Sequence, residues 1–189
     1  MELSRFFNST ASDRRQYSAS DFAEFIRTFY SNGVMNGGAN LQVTKPQTGL
    51  AAMVSAGMAM IQGYWYSNTE PLTLQITAAN ASYPRIDRVV LRLDLTAEVR
   101  SISLHILEGT PAETPQPPEL TRNENIFELS LARVTIPANA TAVASVIDER
   151  YHASVCGITQ GLYTICLLYT SYLRQAMMLQ RINLSLVTS

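Results

Sequence analysis

The side chains that most often carry out catalysis are few in this chain, and their spacing matches no catalytic or metal-binding pattern. His105 lies on the polar face of a predicted strand, His152 follows a charged run, and neither has a partner at the spacing of metal ligands. The motifs of P-loop, dinucleotide-binding, zinc-protease and hydrolase sites are absent. Both histidines are therefore expected to be structural. The sequence predicts no catalytic residue, no cofactor, no metal site and no enzyme activity.

Charged residues are concentrated in one predicted strand and at the end of the last strand. The favoured interpretation is cross-strand ion pairs that support the sheet. The alternative is a subunit interface, in which arginine–carboxylate pairs fix the register and orientation of two chains. Both roles are structural. The candidate residues are Arg85, Asp87, Arg88, Arg92 and Asp94 in the first group, and Asp148, Glu149 and Arg150 in the second.

An aromatic run follows Gly63 and offers candidates for contact with a glycan. A strand would direct Tyr64 and Tyr66 to one face and Trp65 to the other, because side chains alternate along a strand. A sugar-stacking platform is one interpretation of this run, and core packing is the favoured one.

The elements that must position these residues begin with an arm and one helix, over residues 1–33. An N-cap at Ser20 and Asp21 and a stop at Asn32 and Gly33 bound the predicted helix. Its apolar residues recur at helical spacing and form one stripe, which must pack on a sheet or on a neighbouring subunit. The predicted packing face is Phe22, Phe25, Ile26, Phe29 and Tyr30.

Residues 34–155 are predicted to form an antiparallel β-domain. Short alternating segments separated by turn residues are typical of a sandwich or barrel. Segments 49–54 and 58–66 are expected to form a hairpin that turns at residues 55–57, and the proline-rich segment 109–119 is expected to be a loop. The fold class is therefore mainly β, with an N-terminal amphipathic helix and a possible short C-terminal helix. Further strands are predicted at 41–43, 72–76, 85–94, 101–107, 126–136 and 142–147.

Composition excludes several classes of protein. The chain has 189 residues, 14 basic and 15 acidic, so it lacks the basic excess of a nucleic-acid binder. Charged residues make up only 15%, against a typical value of about 25%, which suits a surface that is partly buried against other chains. The N-terminus lacks the apolar region of a signal peptide, and no run of about 18 apolar residues suggests a membrane span. Cys156 and Cys166 are expected to be reduced thiols.

The C-terminal tail, residues 156–189, differs in composition from the rest of the chain. Residues 152–189 contain no Asp, Glu or Lys. Residues 166–171 look like the translation of a common sequencing-adaptor end, so the sequence is predicted to be chimeric from about residue 165. The alternative is a genuine helix that packs on a neighbouring subunit. In either case the tail is expected to have no function of its own.

Several motifs, taken in order, resemble a family of tailed-bacteriophage baseplate and tail-fibre adaptors, similar to the N-terminal domain of siphophage upper baseplate proteins. The longest are AGMAMIQGYWY at 56–66 and PRIDRVVLRLD at 84–94. The others lie at 6–9, 13–24, 31–34, 108–111 and 147–150.

This resemblance implies a structural component of a phage tail, made in the bacterial host cytoplasm and located in the virion. Such a protein would self-assemble and would link the tail tip to host-recognition parts through other baseplate or tail proteins. A trimer is favoured, because an exposed aromatic helix and an arginine-bearing β-domain suit repeated contacts between subunits. Neither a nucleic-acid partner nor membrane insertion is expected. The alternative is a carbohydrate-binding module that contacts host cell-wall glycans, for which Trp65 and its neighbouring tyrosines are the evidence. A hydrolase ranks third, because no nucleophile–base arrangement is present.

Overall fold

The computed structural model describes residues 2–162 and confirms a mainly β chain with one helix near the N-terminus. The helix, α1, spans Ala19–Arg27. Ten strands follow it, and most were predicted within a few residues. They are β1 (Gly33–Val34), β2 (Val43–Thr44), β3 (Ala51–Val54), β4 (Gly57–Ile61), β5 (Tyr64–Asn68), β6 (Leu72–Gln75), β7 (Arg85–Asp94), β8 (Ser101–Leu107), β9 (Ile126–Ile136) and β10 (Ser145–Asp148).

The described strands form three antiparallel sheets, consistent with the predicted β-sandwich-like domain. The largest has the order β10-β9-β7-β8, and two three-stranded sheets have the orders β1-β4-β5 and β2-β3-β6. One hydrophobic core joins all three, because each sheet turns an apolar face inward. Its fully buried members include Val34 from β1, Val54 from β3, Ile61 from β4, Leu91 from β7 and Leu129 from β9.

The long strands β7 and β9 form the centre of the fold. Their pairing runs from Arg85 opposite Ile136 to Asp94 opposite Ile126, and a β-bulge interrupts it between Val89 and Val90. Every second residue of β7 from Val89 onward enters the core, as the alternation of apolar residues predicts.

The predicted hairpin between segments 49–54 and 58–66 is wrong. Segment 58–66 contains two strands, β4 and β5, which pair with each other across a turn at Gln62 and Gly63. Both turn residues have positive φ, at 50° and 79°, the backbone conformation of a tight two-residue hairpin. β3 instead pairs with β2 and β6, so residues 55–57 connect two different sheets.

The helix has different ends from those predicted. Ser18, not Ser20, is the N-cap: its Oγ accepts from the Asp21 backbone N–H, and the Asp21 carboxylate accepts from the Ser18 N–H. The helix ends at Arg27, with Thr28 as C-cap, and does not reach Gly33. Gly33 is in β1, where its missing Cβ leaves room for the Gly157 carbonyl.

The last described residues return to the N-terminal part of the chain. Val34 donates its backbone N–H to Gly157, Ser31 donates to Gln160, and Leu162 donates to Phe29. Cys156 is buried in the core. The predicted tail, residues 156–189, is described only as far as Leu162, so its chimeric origin from about residue 165 and its helix stay predictions, as does the division at residue 155. Within residues 2–162, no helix is long and apolar enough to cross a membrane.

Candidate functional site

An exposed aromatic surface is formed by the N-terminal arm and α1. We call it the arm-and-helix surface. The helix directs its apolar stripe away from the sheets, and Ala23 is its only buried residue. The members of the surface are Leu3, Phe6, Phe7, Phe22, Phe25, Phe29, Tyr30 and Leu162, with exposures from 38% to 65%.

The aromatic rings of this surface contact one another. Phe6 lies 5.1 Å from Phe22 and from Tyr17, and 5.0 Å from Phe25, measured between ring centroids. Phe25 meets Phe29 edge-on at 4.9 Å. These are favourable distances for aromatic pairs, so the rings form one ordered cluster. The cluster is nonetheless half-exposed, so no sheet of the described chain covers the stripe, and its packing on a neighbouring subunit stays a prediction.

Ion pairs hold the arm on the helix. Arg5 bridges Asp21 and Glu24 of α1, with its Nη2 2.9 Å from the Glu24 carboxylate. Tyr17 accepts a hydrogen bond from the Phe7 backbone N–H at 2.7 Å. Within the described part of the chain, the hydrogen bonds and ion pairs of residues 2–17 join residues in the range 2–28, so they attach the arm to α1 rather than to the β-domain.

The helix contacts the β-domain along the side opposite the aromatic stripe. There the Ala23 carbonyl oxygen packs closely on Gly63. A Cβ added to Gly63 would lie only 1.9 Å from that oxygen. Arg27 also reaches Gln62 in the same turn, at 3.5 Å. This contact fixes α1 with its aromatic face toward solvent.

The predicted charged group of β7 divides between the two faces of its sheet. Arg85 and Asp87 belong to the core side and are 2% and 0% exposed. Arg85 Nε donates to both Asp87 carboxylate oxygens, at 3.0 and 3.3 Å, and its remaining nitrogens donate to oxygens of Thr77 and Ala78. Burial raises the pKa of Asp87, while the Gly109 N–H and Arg85 favour its ionised form.

The outer face of the same sheet carries a second set of ion pairs. Arg92 contacts Glu128 at 2.7 Å, and the Glu128 carboxylate also accepts from the Thr121 N–H. Arg88 and Arg133 lie opposite each other in the sheet and share Glu149, at 3.6 and 2.8 Å. Asp94 pairs with no arginine in the described chain. It accepts hydrogen bonds from Thr96, which hold its pKa below the ordinary value.

The Asp148 and Arg150 pair ties the end of β10 to the N-terminal part of the domain. Arg150 is 1% exposed, and its Nη1 donates to the carbonyls of Gly38 and Asn40. Burial opposes ionisation of Asp148, but hydrogen bonds from Arg150 outweigh this and lower the Asp148 pKa. The predicted residues therefore form several separate structural pairs, and not one site.

Sequence reasoning missed Glu128, Arg133 and Ser130, which complete the outer set. Ser130 Oγ donates to Glu149 at 2.6 Å. A signal for Glu128 was available, because it is an acid within the predicted strand 126–136. Identifying its partner required the register of β7 against β9.

Trp65 lies beside an open groove between α1 and the sheets. Tyr64 and Tyr66 pack against the core, while Trp65 faces outward and is 61% exposed, so the three side chains alternate as predicted. The groove has a volume of about 670 Å³. We call it the Trp65 groove; Ser18, Ser20, Tyr64, Trp65, Arg100 and Ser101 are among its lining residues.

The remaining reactive side chains are isolated. His105 Nε2 is 2.8 Å from Ser103 Oγ, and burial lowers the pKa of this histidine. Burial raises the pKa of Cys156 to about 12, which keeps it a thiol. Among residues 2–162, no three His, Cys, Asp or Glu side chains are grouped so that they could hold a metal ion.

Comparison with known proteins finds a distant structural similarity to a phage protein. No family model matches the chain, and no curated protein matches it. The chain is similar to the gene 22 product of the Bacillus subtilis phage SPP1, at 15% identity and a TM-score of 0.36, covering 61% of this chain and 79% of that one. The neighbour is a phage protein, and at this TM-score nothing about its function passes to this chain.

Proposed function

We propose that this protein is a structural subunit of a bacteriophage tail, a baseplate or tail-fibre adaptor that self-associates and joins other tail proteins. The observation that carries the proposal is the arm-and-helix surface. The order of the phage-like motifs supports the choice of a tail protein over other kinds of assembly protein.

The area of this surface supports a role in binding protein. At 150–250 Å² for each aromatic side chain, its half-exposed members present roughly 700 Å² of largely apolar area to solvent. Monomeric soluble proteins rarely expose apolar patches of more than a few hundred Å². A standard protein–protein interface buries about 800 Å² on each partner, so this one surface approaches that requirement.

The construction of the surface supports a defined contact. Its rings are ordered by mutual stacking and by the Arg5 ion pairs, so little side-chain freedom remains to be lost on binding. Aromatic side chains are also the commonest energetic centres of interfaces. We therefore place the contact between copies on this surface, with a trimer as the favoured assembly.

The test is the mass of the full chain in solution, compared with that of a Phe25→Ser variant. Phe25 contacts both Phe6 and Phe29, so its loss should disrupt the centre of the surface. We expect the wild-type chain to be an oligomer at tens of micromolar, and the variant to dissociate at least tenfold more readily by light scattering.

Tyr83→Ser provides the matched control. Tyr83 is an aromatic residue with the same 44% exposure as Phe25, but it lies in the loop before β7. This variant should keep the wild-type mass. Equal dissociation of the two variants, or a wild-type monomer, would remove the basis of the proposal.

A further inference from the structure

We propose that the Trp65 groove binds an acidic saccharide, a sugar chain that carries a carboxylate or a phosphate. This site goes beyond the proposed function and does not depend on it, because the groove and the arm-and-helix surface use different residues.

Trp65 supplies a flat apolar surface in a fixed position. Trp65 lies opposite Met60 in the β4–β5 hairpin, and its neighbours Tyr64 and Tyr66 are packed against the core. The indole therefore stays exposed without the freedom of a loop residue. The C–H face of a pyranose ring packs on such an indole, and the ring hydroxyls remain available for hydrogen bonds.

Arg100 gives the groove its charge. Among the described residues that line the groove, it is the only formally charged one. Within residues 2–162 its guanidinium forms no ion pair, unlike those of the buried Arg85 and Arg150. Its backbone N–H donates a hydrogen bond to the Thr96 carbonyl, which fixes the position of the Arg100 backbone. A ligand with a negative group thus gains a charge-assisted hydrogen bond that a neutral sugar lacks.

Hydroxyl groups complete the lining. Ser20 of α1, Ser101 of β8 and Tyr64 of β5 all line the groove. A concave, mostly apolar cavity with a few polar groups is the usual form of a small-molecule site. Stacking on Trp65, pairing with Arg100 and hydroxyl contacts together favour an acidic saccharide over an acidic peptide, which offers no flat C–H face.

The single tryptophan of the chain makes the test direct, because its fluorescence reports on Trp65 alone. The full chain is titrated at low salt with tetragalacturonate and with a phosphorylated pentamannose, which separate the carboxylate and phosphate sources. Their neutral counterparts are the methyl-esterified tetramer and unmodified pentamannose. We expect a saturable change in Trp65 emission with at least one acidic sugar, and at least tenfold weaker binding of its neutral counterpart.

Two variants test whether Arg100 and Trp65 bind the sugar. Arg100→Ala should weaken binding of the acidic sugar at least tenfold, whereas Arg14→Ala, an exposed arginine of the arm, should leave it unchanged. Trp65→Ala, measured by calorimetry, should abolish binding without changing the mass of the assembly. No saturable response to any of the four sugars, equal affinity for acidic and neutral forms, or tighter binding of an acidic peptide would overturn the proposal.

Discussion

Replacing Asp87 with alanine should strongly destabilise the β-domain, because the buried Arg85 charge would keep only the half-exposed Glu108 carboxylate, 3.7 Å away, as an acidic partner. Both side chains are almost completely inaccessible to water. Breaking such a pair from one side costs about 3–5 kcal/mol. The lower end applies here, since Arg85 keeps its oxygen acceptors on Thr77 and Ala78. The Gly109 N–H, which donates to Asp87 at 2.8 Å, also loses its acceptor.

A loss of about 3 kcal/mol corresponds to a fall in melting temperature of roughly 6–12 °C for a chain of this size. Calorimetry or circular dichroism measures this shift. Asp13→Ala is the matched control, because Asp13 pairs with Arg15 on the exposed arm. The melting temperature of this variant should fall by less than about 2 °C. The double variant Arg85→Ala/Asp87→Ala should recover part of the loss, since it removes the stranded charge. If Asp87→Ala melts within about 2 °C of wild type, the buried pair does not have the structural role assigned to it.

Two further predictions concern acid stability and the C-terminal tail. The pKa of Asp148 is lower in the folded chain than its ordinary value of 3.8, so its contribution to stability is present above that pH and is lost as the pH falls through the folded pKa. Asp148→Asn should therefore lower the urea midpoint at pH 6, and this difference should shrink below about pH 3.8; a difference independent of pH would contradict the assignment. A chain ending at Thr164 should fold with nearly the wild-type melting temperature, because residues 2–162 by themselves form three sheets around one hydrophobic core; an unfolded truncated chain in circular dichroism would show that the tail is integral.

The long strands were predictable because their pattern is strong. β7, β8 and β9 have the predicted bounds, since each is a run of seven or more residues rich in Ile, Val and Leu with polar residues between them. The two-residue strand β1 was not predicted, because Gly33 and Val34 pair with Met60 and Ala59 only once the chain has folded. The hairpin turn was misplaced because Gln62 carries no turn signal, and its positive φ is visible only in the structure.

The candidate residues were found in the sequence, but their surroundings were not. Arg85 and Asp87 share a face because they are two residues apart, and the same alternation places them with the apolar side of β7. The hydrogen bonds that compensate for burying these two charges come from other segments of the chain. Arg85 donates to oxygens of Thr77 and Ala78, and the Gly109 N–H donates to Asp87. Similarly, the amphipathic pattern predicted α1, but periodicity does not indicate whether a helix face is covered.

A crosslinking experiment tests most directly whether the arm-and-helix surface joins one copy of this chain to another. A photoreactive benzoylphenylalanine replaces Phe25, the full chain is irradiated at tens of micromolar, and the linked peptides are identified by mass spectrometry. Mixing ¹⁴N- and ¹⁵N-labelled chains distinguishes links between copies from links within one copy. The account predicts mixed-isotope links from position 25 to the arm or α1 of another copy. Links confined to a single copy, or links to the β-domain of another copy, would contradict it.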